Sequence, residues 1–311
     1  MAGIDILVTG ATGLTGHAAI KNLLHKGQRV RAFAHRQDRR SDDLVELGAE
    51  VVFGDFNDFA SIKAALEGIK RAYFCYPISR GLVQATASFG QAAREQGLET
   101  IVNMSQKIAR EDAASHASFE HWLSERVLDW TGIGVTHLRP PFFAEWMLFM
   151  APMIKQGDVY FPFQQGRTAF ITAEDQGRVI ATILDDPAPH KGKIYDICGP
   201  EELSFQEATA AAGRALGKSI AYHVVPFQVM RDNIAASAIQ SGQNNALSGY
   251  AESNRPDGSG EEPQIFQHLH AAHKDFENGL FRGMNDDVER ITGIPPTSVE
   301  QFVAQRRTLF A

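Results

Sequence analysis

The chain has 311 residues, 44% hydrophobic and 22% charged, with two cysteines and a net charge of -7. That is an ordinary globular composition with ample material for a core. No Lys/Arg-rich block gives an electrostatic reason to bind nucleic acid, and no apolar run reaches about 18 residues.

With no basic leader followed by an apolar stretch, no membrane partner is expected and a cytoplasmic location is. Cys75 and Cys198 lie in apolar, strand-like runs, as buried thiols in a reducing compartment would. No fixed-period repeat and no metal-binding set is visible.

The first apolar run, Ile6-Leu7-Val8, predicts a buried parallel strand, followed at once by Gly10-Ala11-Thr12-Gly13-Leu14-Thr15-Gly16. A helical pattern then runs from His17 to Lys26 with Ala19, Ile20, Leu23 and Leu24 on one face. Strand, glycine turn and helix form the context in which G-x-x-G-x-x-G is informative. Gly10 permits the tight turn, Gly13 lets backbone approach a pyrophosphate, and Gly16 allows close helix–strand packing. The helix N-terminus would face the phosphates.

A second strand, Arg29 to Ala34, ends at His35-Arg36-Gln37-Asp38-Arg39-Arg40. This lies about 20 residues past the turn, where a dinucleotide fold reads the adenosine ribose. An acidic residue there favours NAD, whereas guanidinium forks suit a 2′-phosphate. Arg36 and Arg40 therefore predict NADP(H) in preference to NAD(H), with Asp38 as a competing ribose acceptor. A third strand, Val51 to Phe53, leads to Gly54-Asp55-Phe56-Asn57-Asp58. Asp55 and Phe56 are placed to meet an adenine, and Asp58 to cap a short helix from Ser61 to Gly68.

A fourth strand, Arg71 to Tyr76, ends at Pro77, and helix Leu82 to Gln96 is closed by Gly97. The fifth strand, Thr100 to Met104, ends at Ser105-Gln106-Lys107. A helical stretch from Ser115 to Trp130 follows, and then strand Val135 to Leu138, ending at Arg139-Pro140-Pro141-Phe142-Phe143. This alternation predicts an α/β fold, a Rossmann-type doubly wound parallel sheet. Ligands of such sheets bind at the carboxyl ends of the strands. Those ends are the Gly10 loop, Arg36, Asp55, Tyr76-Pro77, Ser105-Lys107 and Pro141-Phe142-Phe143.

Beyond the sixth strand, Trp146, Met147, Phe149, Met150, Met153, Phe161 and Phe163 suit a core or an apolar pocket. Phe143, Trp146 and Met150 are the candidate substrate contacts. Helix Gln176 to Leu184, edge strand Lys193 to Cys198 and a helix from Phe205 to Leu216 come next, the last capped by Ser204 with Glu207. From Val229 to Glu262 Ser, Gly, Asn and Gln dominate, and Ser253 to Gly260 reads as a loop, either lid or inert insertion. Residues 1–155, completed by about 171–198, are expected to form the NAD(P)-binding unit. Residues 199–311, with about 156–170, form a smaller, mostly helical substrate-binding or lid region.

Several stretches coincide with one family: Thr9 to Gly16, Gly54 to Asp58, Leu138 to Phe143, Ile171 to Asp175, Gly199 to Ser204 and Ser298 to Phe302. In this order the chain resembles the NmrA-like branch of the atypical short-chain dehydrogenases/reductases. The resemblance implies a small NADP(H)-dependent quinone, dye or phenylpropanoid reductase, or alternatively a catalytically silent redox sensor. One departure matters. The Tyr-x-x-x-Lys pair of classical short-chain dehydrogenases is absent, and Ser115 to Trp130 contains neither Tyr nor Lys.

The remaining proton donors are Lys107, beyond strand five, and His121 or, in a more solvated position, His116 on the following helix, a residue type that titrates near neutrality. The expected partner is a small apolar or aromatic substrate, and the expected assembly a monomer or homodimer.

Overall fold

The computed structural model of the chain describes residues 3–240 and 264–310. The alternating pattern folds into β1 (Ile6–Val8), α1 (Leu14–His25), β2 (Val30–Ala34), α2 (Arg39–Glu46), β3 (Glu50–Phe53) and α3 (Phe59–Ala65). It continues through β4 (Arg71–Phe74), α4 (Leu82–Gln96), β5 (Thr100–Met104), α5 (His116–Asp129) and β6 (Gly134–Leu138).

These strands and the short edge strand β8 (Ile194–Tyr195) pair in the order β3-β2-β1-β4-β5-β6-β8, every pair parallel. The chain winds outward from β1 in one direction and from β4 in the other. Their junction is the switch point at which such sheets open a crevice.

Each face of the sheet has its own apolar layer. One holds Ile6, Val8, Ala19, Ile20 and Leu23 with Val179, Ile180, Ile183 and Leu184 of α8 (Ala173–Asp185). The other holds Leu7, Phe33, Phe74, Ile62, Phe89 and Leu128. A third core lies beyond the strand ends and is built largely of Phe142, Phe161, Phe163, Phe170, Phe205, Phe276, Phe302 and Phe310.

That third core joins α6 (Trp146–Phe149), α7 (Ala151–Gln156), β7 (Asp158–Phe161), α9 (Phe205–Leu216), β9 (Ala221–Val224) and α10 (Phe227–Gln240). Later elements complete it: α11 (Gln264–Glu277), α12 (Asp287–Thr292), α13 (Val299–Gln305) and α14 (Arg307–Phe310). β7 and β9 pair in parallel as a separate two-stranded sheet, a feature the sequence pattern does not predict.

Boundaries differ from expectation for local reasons. α1 starts at Leu14 rather than His17, because the glycine turn is itself its first turn and the His17 N–H already reaches the Gly13 carbonyl at 2.9 Å. β4 stops at Phe74 because the Cys75 N–H turns to the Thr9 hydroxyl, 2.9 Å away. The start of the Ser-, Gly-, Asn- and Gln-rich stretch from Val229 is helical to Gln240. Ser253 to Gly260, the lid-or-insertion segment, lies outside the described residues.

Two caps follow the sequence: Asp58 accepts from the Ala60 N–H, and Ser204 with Glu207 forms a reciprocal box; Ser115, accepting from Ser118, adds a third.

α1 and α8 pack closely because Gly177 has no side chain. A Cβ there would lie 2.5 Å from the Ala18 Cβ and 2.6 Å from the Ala18 backbone carbon. Gly177→Val should therefore force the two helices apart and destabilise the protein by about 1–3 kcal/mol or more. Urea unfolding checks this, and a midpoint unchanged from wild type would contradict it.

Candidate active site

A cleft of about 930 Å³ opens over the carboxyl ends of β1 and β4 and runs into the third core. At one end its walls are Gly10 to Thr15, His35, Arg40, Asp55, Phe56, Cys75, Tyr76 and Pro77. At the other they are Ser105, Gln106, His121, Pro141 to Phe143, Glu145, Trp146, His268, Leu269 and Phe281. Thr9 and Cys75 stitch the strand ends together beneath it, through the Cys75 N–H on the Thr9 hydroxyl and that hydroxyl on the Cys75 carbonyl at 3.2 Å.

The glycine turn is shaped by what a side chain would strike. Gly10 has φ of +57°, in the left-handed region. A Cβ on Gly16 would sit 2.3 Å from the Gly10 carbonyl oxygen, so the helix start can lie against the strand end only with glycine there. Gly16 thus packs behind the turn and leaves the wall to Gly10 through Thr15. The first-turn N–H groups of a helix lack intrahelical acceptors and carry the positive end of its dipole, which suits a pyrophosphate.

At the end of β2 the two arginines part. Arg40 lines the cleft and forks onto Asp38 with Nε at 3.2 Å and Nη2 at 2.7 Å. Arg36 lies outside the wall, about half exposed, with its Nε 3.7 Å from Asp38. Asp38 also caps α2, accepting from the Arg40 and Ser41 N–H groups. The Arg40 guanidinium beside it holds its carboxyl below the usual range. Asp38 is thereby committed to α2 and Arg40, which removes it as a ribose acceptor.

Asp55 lines the cleft and orders Asn57, while Phe56 stands edge-on to Phe33, Phe74 and Tyr76.

Ser105, at the end of β5, donates to Glu125 at 2.6 Å, and the Arg139 fork holds the same carboxylate at 2.8 and 2.5 Å. Glu125 is fully buried. Burial pushes its carboxyl up, but Arg139 and Ser105 outweigh that and keep it below the usual value. This three-residue knot pins the hydroxyl of Ser105 at the cleft floor.

Lys107 is a correction. It does not reach the cleft, because its ammonium is drawn 3.1 Å from Asp196 while its N–H is bound to the Pro140 carbonyl. It stabilises the loop after β5 and is not placed to donate a proton.

His121 lines the cleft as expected, but its chemistry differs. Burial lowers its pKa to about 4, so the ring is neutral at physiological pH and cannot act as an imidazolium acid. Its neighbour across the cleft is His268, on α11. That helix docks on the start of α5 through Gln264 to Glu120 at 2.9 Å, Gln267 to the Ala114 carbonyl at 2.8 Å and the His116 N–H to Gln267 at 3.1 Å. His268 Nδ1 lies 2.8 Å from the Ser115 hydroxyl, and burial, then His121, lowers its pKa to about 3.

The sequence reading missed His268, although α11 carries a legible apolar face of Ile265, Phe266, Leu269, Ala272 and Phe276.

Phe143 and Trp146 line the cleft as expected. Met150 is a second correction: at the junction of α6 and α7 it is fully buried in the third core, behind the wall. Glu145 is another residue the sequence reading missed, its signal being a lone carboxylate in an apolar run. One of its oxygens accepts from the Ala173 N–H at the start of α8, 2.9 Å away, while Oε2 is buried with no hydrogen-bond partner among the described residues. Burial raises its pKa to about 7.

Among the described residues no group of three or more His, Cys, Asp or Glu is placed to hold a metal, and no helix is long and apolar enough to cross a membrane.

A glycine turn at the switch point of a doubly wound sheet, with a cleft running from it into an aromatic core, defines a protein of the dinucleotide-binding fold. The chain belongs to the NmrA-like family, whose model matches residues 4–277. An NAD(P)H azoreductase of Xenophilus azovorans is 24% identical over 308 residues, spanning 98% of this chain and 99% of that protein.

Among solved structures, the NADPH-dependent quinone oxidoreductase of Escherichia coli complexed with NADPH matches 97% of this chain and 99% of its own at TM-score 0.77 and 22% identity. The triphenylmethane reductase of a Citrobacter species, complexed with NADP(H), gives 0.77 and 22% over 97% and 99%. At such identity the structural likeness shows a shared fold.

The raised pKa of Glu145 gives a stability prediction. The protonated carboxyl is the form the fold tolerates, so its contribution is fully present below about pH 4.5 and is lost as pH rises through about 7. Glu145→Gln, which stays neutral, should gain roughly 3 kcal/mol relative to wild type between pH 4.5 and 8. Urea unfolding of both proteins across that range measures it, and a constant difference between them would contradict the buried, protonated state.

Proposed function

We propose that the protein is an NADP(H)-dependent reductase that transfers hydride to a flat, apolar carbonyl, quinone or conjugated aromatic compound. The observation that carries this reading is the continuity of one cleft from the glycine turn to the aromatic wall. The cofactor, when bound, supplies hydride from C4 of its reduced nicotinamide.

The cradle suits that group. A side chain on Gly13 would lie 3.2 Å from the Gly10 carbonyl and crowd the turn. Gly10 to Thr15 and the start of α1 would hold the pyrophosphate, Asp55, Phe56, Tyr76 and Pro77 the adenosine, and Ser105 with Pro141 to Phe143 the nicotinamide end. Arg40 is the cation inside the wall for a 2′-phosphate, with Arg36 outside it. Phe143, Trp146, Leu269 and Phe281 then face the acceptor, and their apolar surface favours a ring over a charged metabolite.

The missing Tyr-x-x-x-Lys pair shapes the substrate class. α5 offers no phenol or ammonium, and His121 is neutral. An acceptor whose reduced oxygen is a weakly basic phenolate, protonated by water, needs no strong acid from the protein. The relatives that reduce azo dyes, quinones and triphenylmethane dyes support this reading.

Isothermal titration calorimetry should show NADPH binding more tightly than NADH. Arg40→Ala should cost NADPH on the order of 1.5–3 kcal/mol, the value of a charged hydrogen bond, and change NADH little. Equal wild-type affinities for the two cofactors would rule out the NADP(H) preference. Incubation with NADPH and a panel of quinones, azo dyes and aromatic aldehydes should give protein-dependent loss of nicotinamide absorbance for at least one class. Tight NADPH binding with no turnover across the panel would favour a silent sensor instead.

A further inference from the structure

Besides Glu145, the aromatic end of the cleft holds three polar side chains that the cofactor reading leaves unused. His268 comes from α11, His121 from α5, and Gln106 from the end of β5, and all three line the cavity. His121 and His268 lie close enough to interact. His121 stands one helical turn before Glu125, which holds Ser105, the residue next to Gln106. His268 is bonded to Ser115 at the start of the same helix and is near enough for a charge on His121 to disfavour its own.

Each can act as a neutral donor. The Ser115 hydroxyl oxygen already accepts from the Ser118 N–H at 3.1 Å, and its own hydrogen has one acceptor among the described residues, His268 Nδ1. The hydroxyl therefore donates, Nδ1 is unprotonated, and the proton of the neutral ring sits on Nε2. Gln106 Nε2 is buried without a hydrogen-bond partner among the described residues. A buried amide donor left unpaired is costly, and a ligand oxygen would relieve it.

Building on the reductase reading, we propose that His268 Nε2–H and Gln106 Nε2–H, with His121 beside them, form a neutral donor patch that receives the carbonyl oxygen of the hydride acceptor. The patch contains no ammonium, guanidinium or carboxylate. It therefore suits an uncharged oxygen acceptor such as a quinone carbonyl. When hydride adds to the conjugated ring, the carbonyl electron pair moves onto oxygen. The donors stabilise that enolate as oxyanion-hole donors do; the ring carbon then loses its original proton to water, which gives the aromatic phenolate, and water protonates the oxygens to complete the hydroquinone. Reduced nicotinamide is oxidised by two electrons and the quinone is reduced by two. Ser115 is a positioning residue, setting which nitrogen of His268 carries the proton.

Three measurements test the patch. Long-range ¹H–¹⁵N spectra of the histidine side chains should show His268 as the Nε2–H tautomer, and an Nδ1–H tautomer would overturn the proposal. Quenching of tryptophan fluorescence by 2-methyl-1,4-naphthoquinone, without cofactor, should report at least tenfold weaker binding to Gln106→Leu and His268→Phe. His268→Gln, which keeps an N–H, should recover part of the loss. Unchanged affinity in both variants overturns the proposal.

With NADPH present, the quinone rate should fall about 10²–10³-fold in His268→Phe, at least tenfold more than the rate with a triarylmethane dye that has no carbonyl. An equal loss of both rates overturns the patch, and because Gln106 is only half-buried, Gln106→Leu gives the same comparison should His268→Phe fail to fold. Wild-type protein that reduces neither compound would overturn the reductase reading itself, whereas an active wild type with unaffected variants overturns only the patch.

Discussion

The contact on which the structure depends is the approach of the α1 start to the end of β1, where a Cβ on Gly16 would meet the Gly10 carbonyl oxygen at 2.3 Å. Glycine at that one position lets the helix begin directly over the strand, so its unpaired N–H groups open into the crevice. The same economy recurs one layer out, where Gly177 lets α8 lie against Ala18 of α1. The start of α8 then holds Glu145 through the Ala173 N–H, and buried Asp175 anchors the carboxyl-terminal segment through Thr297 at 2.8 and 3.1 Å. Two missing side chains thus carry the geometry from the sheet to the far wall of the cleft.

The polar groups of the cleft divide by charge state. Near the glycine turn and β2 stand Arg40, Asp38 and Asp55, a charged environment suited to phosphate and ribose. Toward the third core three titratable groups are neutral. His121 and His268 are held uncharged by burial, and Glu145 keeps its proton to about pH 7. Charged side chains near that end are paired, Glu125 with Arg139 beneath the floor and Asp275 of α11 with Arg110. A cleft graded from ionic to neutral orients an elongated ligand with an anionic and an apolar end.

Most of the sheet was legible because its signals are local. Apolar runs, the glycine turn, Gly97 as a helix stop and the caps at Asp58 and Ser204 depend on residues within one turn of each other. What escaped depends on contacts distant in sequence. β7 and β9 are four-residue strands stabilised only by each other and the third core. Met150 and Trp146 look alike in an apolar run, and only their packing separates wall from core. Lys107 looked like a catalytic amine until Asp196, 89 residues away, claimed it. The charge of His121 was unreadable because it follows from burial under α11, a helix recruited from over 140 residues further along the chain. Arg40 and Arg36 were both marked, and the cap at Asp38 decides which of them turns inward.

The central claim is that one ligand spans this graded cleft, phosphates on the α1 start and a reactive ring against Phe143 and Trp146. A crystal structure of the protein with NADPH tests it most directly. The account requires the pyrophosphate oxygens within hydrogen-bond distance of the Gly10 to Thr15 backbone, the 2′-phosphate on Arg40, and the nicotinamide C4 open to the space enclosed by Phe143, Trp146 and His268. A cofactor bound with its nicotinamide turned away from that space, or lying outside the glycine turn, would contradict it.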